Sequence, residues 1–312
     1  MVNSQPTERR AYRRTDDFTP GTPKVKLVTE PLPLPLHPTA VLVKVHAVAL
    51  NYRDANIANG GNPWPVTPNG ILCNDAAGEV IAVGDKVSFL AVGDRVAPIT
   101  DTANITGREP GRSWLAADED GVLADHVVFS EEKLSKLPDY LDWVSASIIP
   151  CAGVTAWSAL KDVGIGKTVL LQGTYTSPLL WLRLSANVIH EKGTGGVSTF
   201  ALKLARAAGL RVILTSSSDD KLNKMQEQFP EPPILTVNYS KSPEWHEEVL
   251  RLTNGVGVDL VVGNGGTSSL VKSIKCTRRG GIVSQVGYLA KQDSNQLKEL
   301  IPIIIDRRVI LR

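Results

Sequence analysis

Two stretches decide the fold of this chain: Thr168-Val169-Leu170-Leu171-Gln172-Gly173-Thr174, and Gly193-Thr194-Gly195-Gly196-Val197-Ser198. The first is a short apolar run that ends on glycine. The second opens a segment, Val197 to Ala208, whose apolar residues Phe200, Leu204 and Ala207 fall on one face at helical spacing. Joined, they give a buried strand, a tight glycine turn and a helix N-terminus. A dinucleotide site requires that sequence of parts. Glycines let the backbone approach a diphosphate, and the first N–H groups of the helix face its charge.

In this chain the two halves are not joined. About 20 residues separate them, well above the short loops that connect a strand to its helix. Gly173-Thr174 recurs as Gly193-Thr194, and excising Thr174 through Gly193 restores Leu171-Gln172-Gly173-Thr194-Gly195-Gly196-Val197-Ser198. Three readings stay open. One is a retained intron or gene-model error, favoured by the duplication and by Pro178, Trp181 and Arg183. Another is a genuine functional insertion. The third is a loop that never held a cofactor. For the chain as it stands, the insert (about 174–193) is expected to displace the turn and to weaken or abolish cofactor binding.

Towards the C-terminus, strands and helices alternate. Strands are predicted at Thr168–Leu171, Leu210–Leu214, Ile234–Val237, Val258–Val262 and Gly281–Val286. Helices are predicted at Val197–Ala208, Asp219–Phe229, Glu244–Thr253 and Ser268–Lys275, and the apolar run Ile301–Leu311 begins a further helix or strand. Such alternation implies an α/β domain with a doubly wound parallel sheet covered on both faces. Towards the N-terminus the pattern is short strands and turns: Val41–Val48, Gly78–Val83, a turn at Val92–Val96 feeding a strand, and Gly121–Phe129. Trp143 to Leu160 has helical spacing broken near Pro150 and Gly153. The expected organisation is a flexible tail (1–24), a β-rich domain (25–140) and the doubly wound domain (141–312).

Composition bounds the function classes. With 312 residues, 42% hydrophobic and 21% charged, the chain reads as an ordinary globular protein, and a formal charge of +2 gives no reason to expect nucleic acid as a partner. Cys73, Cys151 and Cys276 are dispersed and odd in number, so they form no disulfide framework, and a reducing cytoplasm is the expected setting. Arg9, Arg10, Arg13 and Arg14 read either as a transit-like bias or as a solvated basic tail. The most apolar stretch, Pro178 to Ile189, is too short to span a membrane and contains Arg183.

The residues after the second strand of the α/β domain bear on cofactor choice. An NAD-specific site usually carries an acid at that strand end, bonding the ribose. Here Thr215-Ser216-Ser217-Ser218 precede Asp219, Asp220 and Lys221. Ser216, Ser217 and Lys221 are expected to bind a 2′-phosphate, favouring NADPH over NADH. The serines equally suit the cap of the following helix, and the two roles are compatible.

Leu50-Asn51-Tyr52-Arg53-Asp54, Asp75-Ala76-Ala77-Gly78-Glu79-Val80, Val92-Gly93-Asp94-Arg95-Val96, Cys151-Ala152-Gly153-Val154-Thr155-Ala156-Trp157 and the restored glycine turn, in that order and spacing, resemble the medium-chain dehydrogenase/reductase family, in its zinc-independent, quinone-oxidoreductase-like branch. The resemblance runs from about Val25 to the end. It implies a GroES-like catalytic domain, a Rossmann-type cofactor domain and an active site in the cleft between them. By the same resemblance Asn51, Tyr52 and Asp54 line the substrate side, and Thr155 approaches the nicotinamide carboxamide. Tyr239 sits near the adenosine phosphate, Gly287 and Tyr288 lie by the nicotinamide, and Gly173, Thr194, Gly195, Gly196 and Val197 cradle the diphosphate. Zinc-using relatives carry cysteine where Asn51 stands and Gly-His-Glu where Cys73-Asn74-Asp75 stands. His37, His46, His126, His190 and His246 have no metal-ligand spacing, so no zinc is expected. Relatives run on for roughly 40 residues beyond the last strand, re-entering the catalytic domain. The C-terminus therefore reads as truncated, with uncovered apolar surface and a disturbed edge for the homodimer that is usual in the family.

The expected activity is NADPH-dependent hydride transfer to a quinone, enone or related small carbonyl compound. The cofactor supplies the hydride, and Tyr52, Arg53 or a water stabilises charge developing on oxygen. A zinc-type alcohol dehydrogenase-like enzyme and a non-catalytic relic or binding protein of the same fold are the alternatives.

Overall fold

The computed structural model describes residues 5–173, 196–288 and 298–312. They fall into two compact units, Met1–Ala152 and Gly153–Arg312.

In the first unit, β1 (Glu8–Arg14) pairs antiparallel with β2 (Val25–Pro31). A five-stranded antiparallel sheet follows, from β3 (Ala40–Ala49), β4 (Asp75–Val83), β5 (Arg95–Pro98), β6 (His126–Ser130) and β7 (Leu134–Lys136), in the order β6-β3-β4-β5-β7. Helix α1 (Tyr52–Ala58) leaves the end of β3, and α2 (Trp143–Ser147) packs on β3 and β4. Val41, Val43, Ile57, Ile71, Val80, Leu115 and Val122 form the core.

The second unit opens with α3 (Val154–Ala159). Its strands are β8 (Thr168–Gln172), β9 (Arg211–Ser216), β10 (Leu235–Asn238), β11 (Val258–Gly263), β12 (Thr277–Gln285) and β13 (Ile310–Leu311). They form one parallel sheet in the order β10-β9-β8-β11-β12-β13. Between them run α4 (Gly196–Ala207), α5 (Asp219–Gln228), α6 (Trp245–Leu252), α7 (Thr267–Lys275) and α8 (Leu300–Arg307). Every residue of β8 is buried, as expected of a central parallel strand covered on both faces. The final apolar run resolves into a helix and then a strand. The doubly wound sheet and the β-rich first unit are thus as read from the sequence.

Four expectations are corrected. Residues 8–14 are a strand, not part of a free tail. Arg9 and Arg13 share Glu30 at 2.7 and 2.6 Å, Arg13 also meets Asp120 at 2.8 Å, and Arg14 is 1% exposed. The boundary expected at 140/141 falls at Ala152/Gly153. The reason is Trp143, which stacks on His46 at 4.3 Å and lies 3.8 Å from the Arg95 guanidinium, fastening α2 to the first unit. The expected strand Gly121–Phe129 begins only at His126, because the N–H groups of Gly121, Val122 and Leu123 bond the carbonyls of Ile71, Cys73 and Leu72 instead. Finally, α4 buries Ser198, Ala201, Leu202 and Ala205, not the Phe200–Leu204–Ala207 face. Small residues let the helix lie close to β8 and β9; Phe200 and Leu204 are half-buried against the same core, and Ala207 is exposed.

Candidate functional site

The strand order reverses between β8 and β11. Ligands of doubly wound sheets sit outside the carboxyl ends of the strands at such a reversal, because the loops there diverge and leave a crevice. The carboxyl ends in question are Gln172-Gly173 and Gly263-Asn264. Gly173 has φ of +154°, and a Cβ placed there would stand 2.1 Å from Ser198 Oγ. Only glycine fits. Ser198, in the first turn of α4, donates from Oγ to the Gln172 carbonyl at 2.7 Å. Asn264 Nδ2 donates to that carbonyl at 2.8 Å and to Ser198 Oγ at 2.9 Å. The turn that the insert was expected to displace, residues 174–195, lies outside the described residues. Gly173 and the first turn of α4 are in contact, locked by three convergent hydrogen bonds.

Asn264 also lies against Gly287. A Cβ on Gly287 would lie 2.7 Å from the Asn264 carbonyl, so Gly287 too must be bare. Gly265 bridges antiparallel to Tyr288. Below this surface the Gln172 side chain donates to Ser273 Oγ at 2.6 Å and accepts from Ser269 Oγ at 3.3 Å. Gln285 Nε2 bonds the Gly263 and Gly287 carbonyls at 3.1 and 2.5 Å. These side chains hold the loops at the ends of β8, β11 and β12 together.

At the neighbouring strand ends, Ser216 is fully buried and its Oγ accepts from the Ser218 N–H at 3.2 Å. That is a turn role, not a helix cap: Ser218 is the N-cap of α5 and makes no side-chain cap bond. Ser217 is exposed and Lys221 half-buried in the first turn of α5. Tyr239 is half-buried, and its N–H bonds the Ser216 carbonyl at 3.0 Å. Asp219 Oδ1 accepts from Asn238 Nδ2 at 2.6 Å, and its other oxygen pairs with Lys241.

In the first unit, Asn51 caps α1. Its backbone N–H bonds Asp54 Oδ2 at 2.7 Å, and its Nδ2 bonds Asp75 Oδ2 at 2.8 Å and Asn74 Oδ1 at 3.4 Å. Asp75 Oδ1 in turn accepts the Cys151 N–H at 2.6 Å. Burial pushes both Asp54 and Asp75 up to about 6. Burial also raises Cys73 well above the usual thiol range and Cys151 to about 12, so both are protonated at neutral pH and inert as nucleophiles. Arg53 donates to the Leu115 carbonyl at 2.8 Å and lies 5.7 Å from the Trp114 ring. Tyr52, at the start of α1, is 38% exposed.

The donors in this cluster do not fit zinc. Asn51 and Asn74 present amides, and both Asp75 oxygens already accept hydrogen bonds. Among the described residues no group of three or more His, Cys, Asp and Glu is arranged to hold a metal. No helix among them is long and apolar enough to cross a membrane.

The structure thus brings together Gly173, Gly196, Val197 and Gly287 with Tyr288 around one edge of the sheet, and Ser216, Ser217, Lys221 and Tyr239 around the next strand ends. Thr155 is half-buried on α3, which packs against α4. Thr194 and Gly195 lie outside the described residues. Sequence reasoning missed Gln172, Ser198 and Asn264 as supports. The signal for Asn264 was its place in Gly263-Asn264-Gly265-Gly266, directly after a buried strand.

A parallel sheet whose order reverses at glycine-bearing strand ends, with helices between its strands, defines a Rossmann-type domain. The alcohol dehydrogenase GroES-like domain matches residues 37–139, and the zinc-binding dehydrogenase domain matches residues 196–311. A zinc-type alcohol dehydrogenase-like protein of Schizosaccharomyces pombe is 33% identical over 95% of this chain and 82% of its own length. A quinone oxidoreductase of Pseudomonas aeruginosa is 30% identical over 86% of this chain and 70% of its own. The crystal structure of an NAD-dependent alcohol dehydrogenase superposes with a TM-score of 0.73 at 27% identity, over 97% of this chain and 83% of that one. The chain belongs to the medium-chain dehydrogenase/reductase family and is an oxidoreductase of that family.

Proposed function

We propose that this chain is an NADPH-dependent reductase that delivers hydride to a quinone, an enone or a related small carbonyl compound. The observation that carries the reading is the closed junction of Gly173 with Ser198. A Cβ at Gly173 would collide with Ser198, so glycine lets the strand and the helix close to the spacing that a diphosphate site at a helix N-terminus needs. The bound nicotinamide supplies the hydride. The Gly173 turn and the first turn of α4 hold the diphosphate, and the Gly287–Tyr288 segment supports the nicotinamide end. Tyr52, 38% exposed at the start of α1, is a candidate donor to charge developing on the substrate oxygen. Arg53 donates through one nitrogen to the Leu115 carbonyl, and Asp54, buried in the first turn of α1, accepts the Asn51 N–H.

The zinc-type alcohol dehydrogenase reading draws support from the names of relatives, but the amide donors at Asn51 and Asn74 do not suit zinc. The relic reading is the other alternative; the contact of Ser198 with the Gln172 carbonyl, made despite the intervening segment, favours the reductase. A homodimer and a cytoplasmic setting accord with this proposal.

Titration of the purified chain with NADPH and NADH, followed by melting temperature, tests the reading, because a ligand that binds only the folded state must raise it. Consumption of NADPH with a benzoquinone, an enone and an aldehyde then ranks acceptors. NADPH is expected to raise the melting temperature more than NADH does. Absence of binding both in the full chain and in a version lacking residues 174–193 overturns the proposal.

A further inference from the structure

Cofactor choice is set where β9 and β10 end side by side, with Ser216 paired to Asn238 in register. The first acid beyond β9 is Asp219, the residue placed to bond a ribose diol or to repel a 2′-phosphate. It is not free to do either. Asn238 Nδ2 holds Asp219 Oδ1 at 2.6 Å, and the Lys241 ammonium holds the other oxygen. The same Asn238 accepts the Ser240 N–H at 2.9 Å and the Lys241 N–H at 3.4 Å through its Oδ1. One side chain therefore aims the carboxylate and folds the loop that brings the ammonium to it.

We infer that Asn238 and Lys241 mask Asp219, and that this masked carboxylate is the determinant that admits a 2′-phosphorylated dinucleotide at the β9–β10 edge. The inference rests on the NADPH reading above and names residues beyond the serines and Lys221. Its physical content is a charge balance. With the pair intact, the edge offers no net negative charge from Asp219, and the exposed Lys241 ammonium stays close enough to turn towards a phosphate. With Lys241 removed, an unpaired carboxylate faces the phosphate. With Asp219 neutralised, the full charge of Lys241 becomes available to it.

The test is isothermal titration of the full chain with 2′,5′-ADP and with 5′-AMP, which differ only in the 2′-phosphate. Wild type is expected to prefer 2′,5′-ADP. Lys241→Gln should lower that preference on the order of tenfold, and Asp219→Asn should raise it several-fold, the worth of one exposed ionic contact. Lys241→Arg should keep it, and 5′-AMP affinity should hold within about twofold throughout. A wild type that binds without discriminating between the fragments overturns the NADPH reading and this inference with it; one that binds neither overturns this inference, and the NADPH reading as well if the version lacking residues 174–193 also binds neither. A discriminating wild type whose ratio is unmoved by both substitutions overturns this inference alone, because an ordinary surface ion pair would behave in that way.

Discussion

Ser198 Oγ donates to the Gln172 carbonyl at 2.7 Å, although the two residues stand on opposite sides of the segment that interrupts the glycine motif. The end of β8 and the start of α4 meet as a strand and helix do across a tight turn. The contact is made by the residues that flank the interruption, so the cradle does not depend on a short connection.

Gly173→Ala tests the cradle directly. The new Cβ would stand 2.1 Å from Ser198 Oγ and 2.9 Å from Ser198 Cβ, at a backbone angle that side chains avoid. A loss of about 2–3 kcal/mol of stability is expected, from overpacking and an unfavourable φ together. Urea unfolding measures it, and NADPH affinity should fall at least in parallel.

Removing residues 174–193 leaves the Gly173–Ser198 contact with a short connection. A shorter loop costs less chain entropy to close, by up to about 2 kcal/mol for this change in length. The trimmed chain should melt at or above the temperature of the full one and bind NADPH at least as tightly. A trimmed chain that fails to fold would show that the junction needs the intervening residues.

Asn264 and Ser198 should be energetically coupled. Asn264→Ala removes the donor shared by the Gln172 carbonyl and Ser198 Oγ, at a cost of about 1–3 kcal/mol. In a double-mutant cycle with Ser198→Ala, the coupling should exceed about 0.5 kcal/mol. Additive effects would mean that the two side chains act separately.

Asp54 should make stability fall as pH rises. Burial lifts its folded-state pKa from 3.8 to about 6, so between those values the folded state binds more protons than the unfolded one. Stability from this group is then greatest at low pH and lost as pH climbs through 6, by on the order of 2–3 kcal/mol. Asp142 and Asp219, held below the usual carboxylate range by hydrogen bonds, act in the opposite sense. The difference between wild type and Asp54→Asn isolates the buried group, because the amide oxygen can still accept the Asn51 N–H. Relative to the variant, wild type should lose stability from pH 4 to pH 6.5, as denaturant unfolding at several pH values will show.

Metal analysis of the purified chain should find no stoichiometric zinc, and a chelator should leave its melting temperature unchanged. Amides bind zinc far more weakly than thiolates and imidazoles. One zinc per chain that resists dialysis would contradict this.

Much of the fold was legible in local pattern. The buried run Thr168–Gln172 and the helix from Gly196 were readable because apolar periodicity survives whatever the chain does between them. The face of α4 was misjudged because bulk was taken as the mark of burial. A helix lying close to a sheet buries its small residues, Ala201 and Ala205, and leaves Phe200 and Leu204 at its flank. The arginines at 9, 13 and 14 looked like a solvated tail because Glu30 and Asp120, which pair with Arg9 and Arg13, are remote in sequence.

By itself the sequence determined the element types, the parallel sheet, the family, and the glycines at 173 and 287, since each follows from residue type at a position. Only the tertiary structure decided that Gln172, Ser198 and Asn264 meet, that Asp219 is turned towards Lys241, and that Asp54 and Asp75 are buried. Those facts depend on which strands lie side by side and in what register, and a strand's neighbours are fixed by the packing of the whole sheet, not by its own residues.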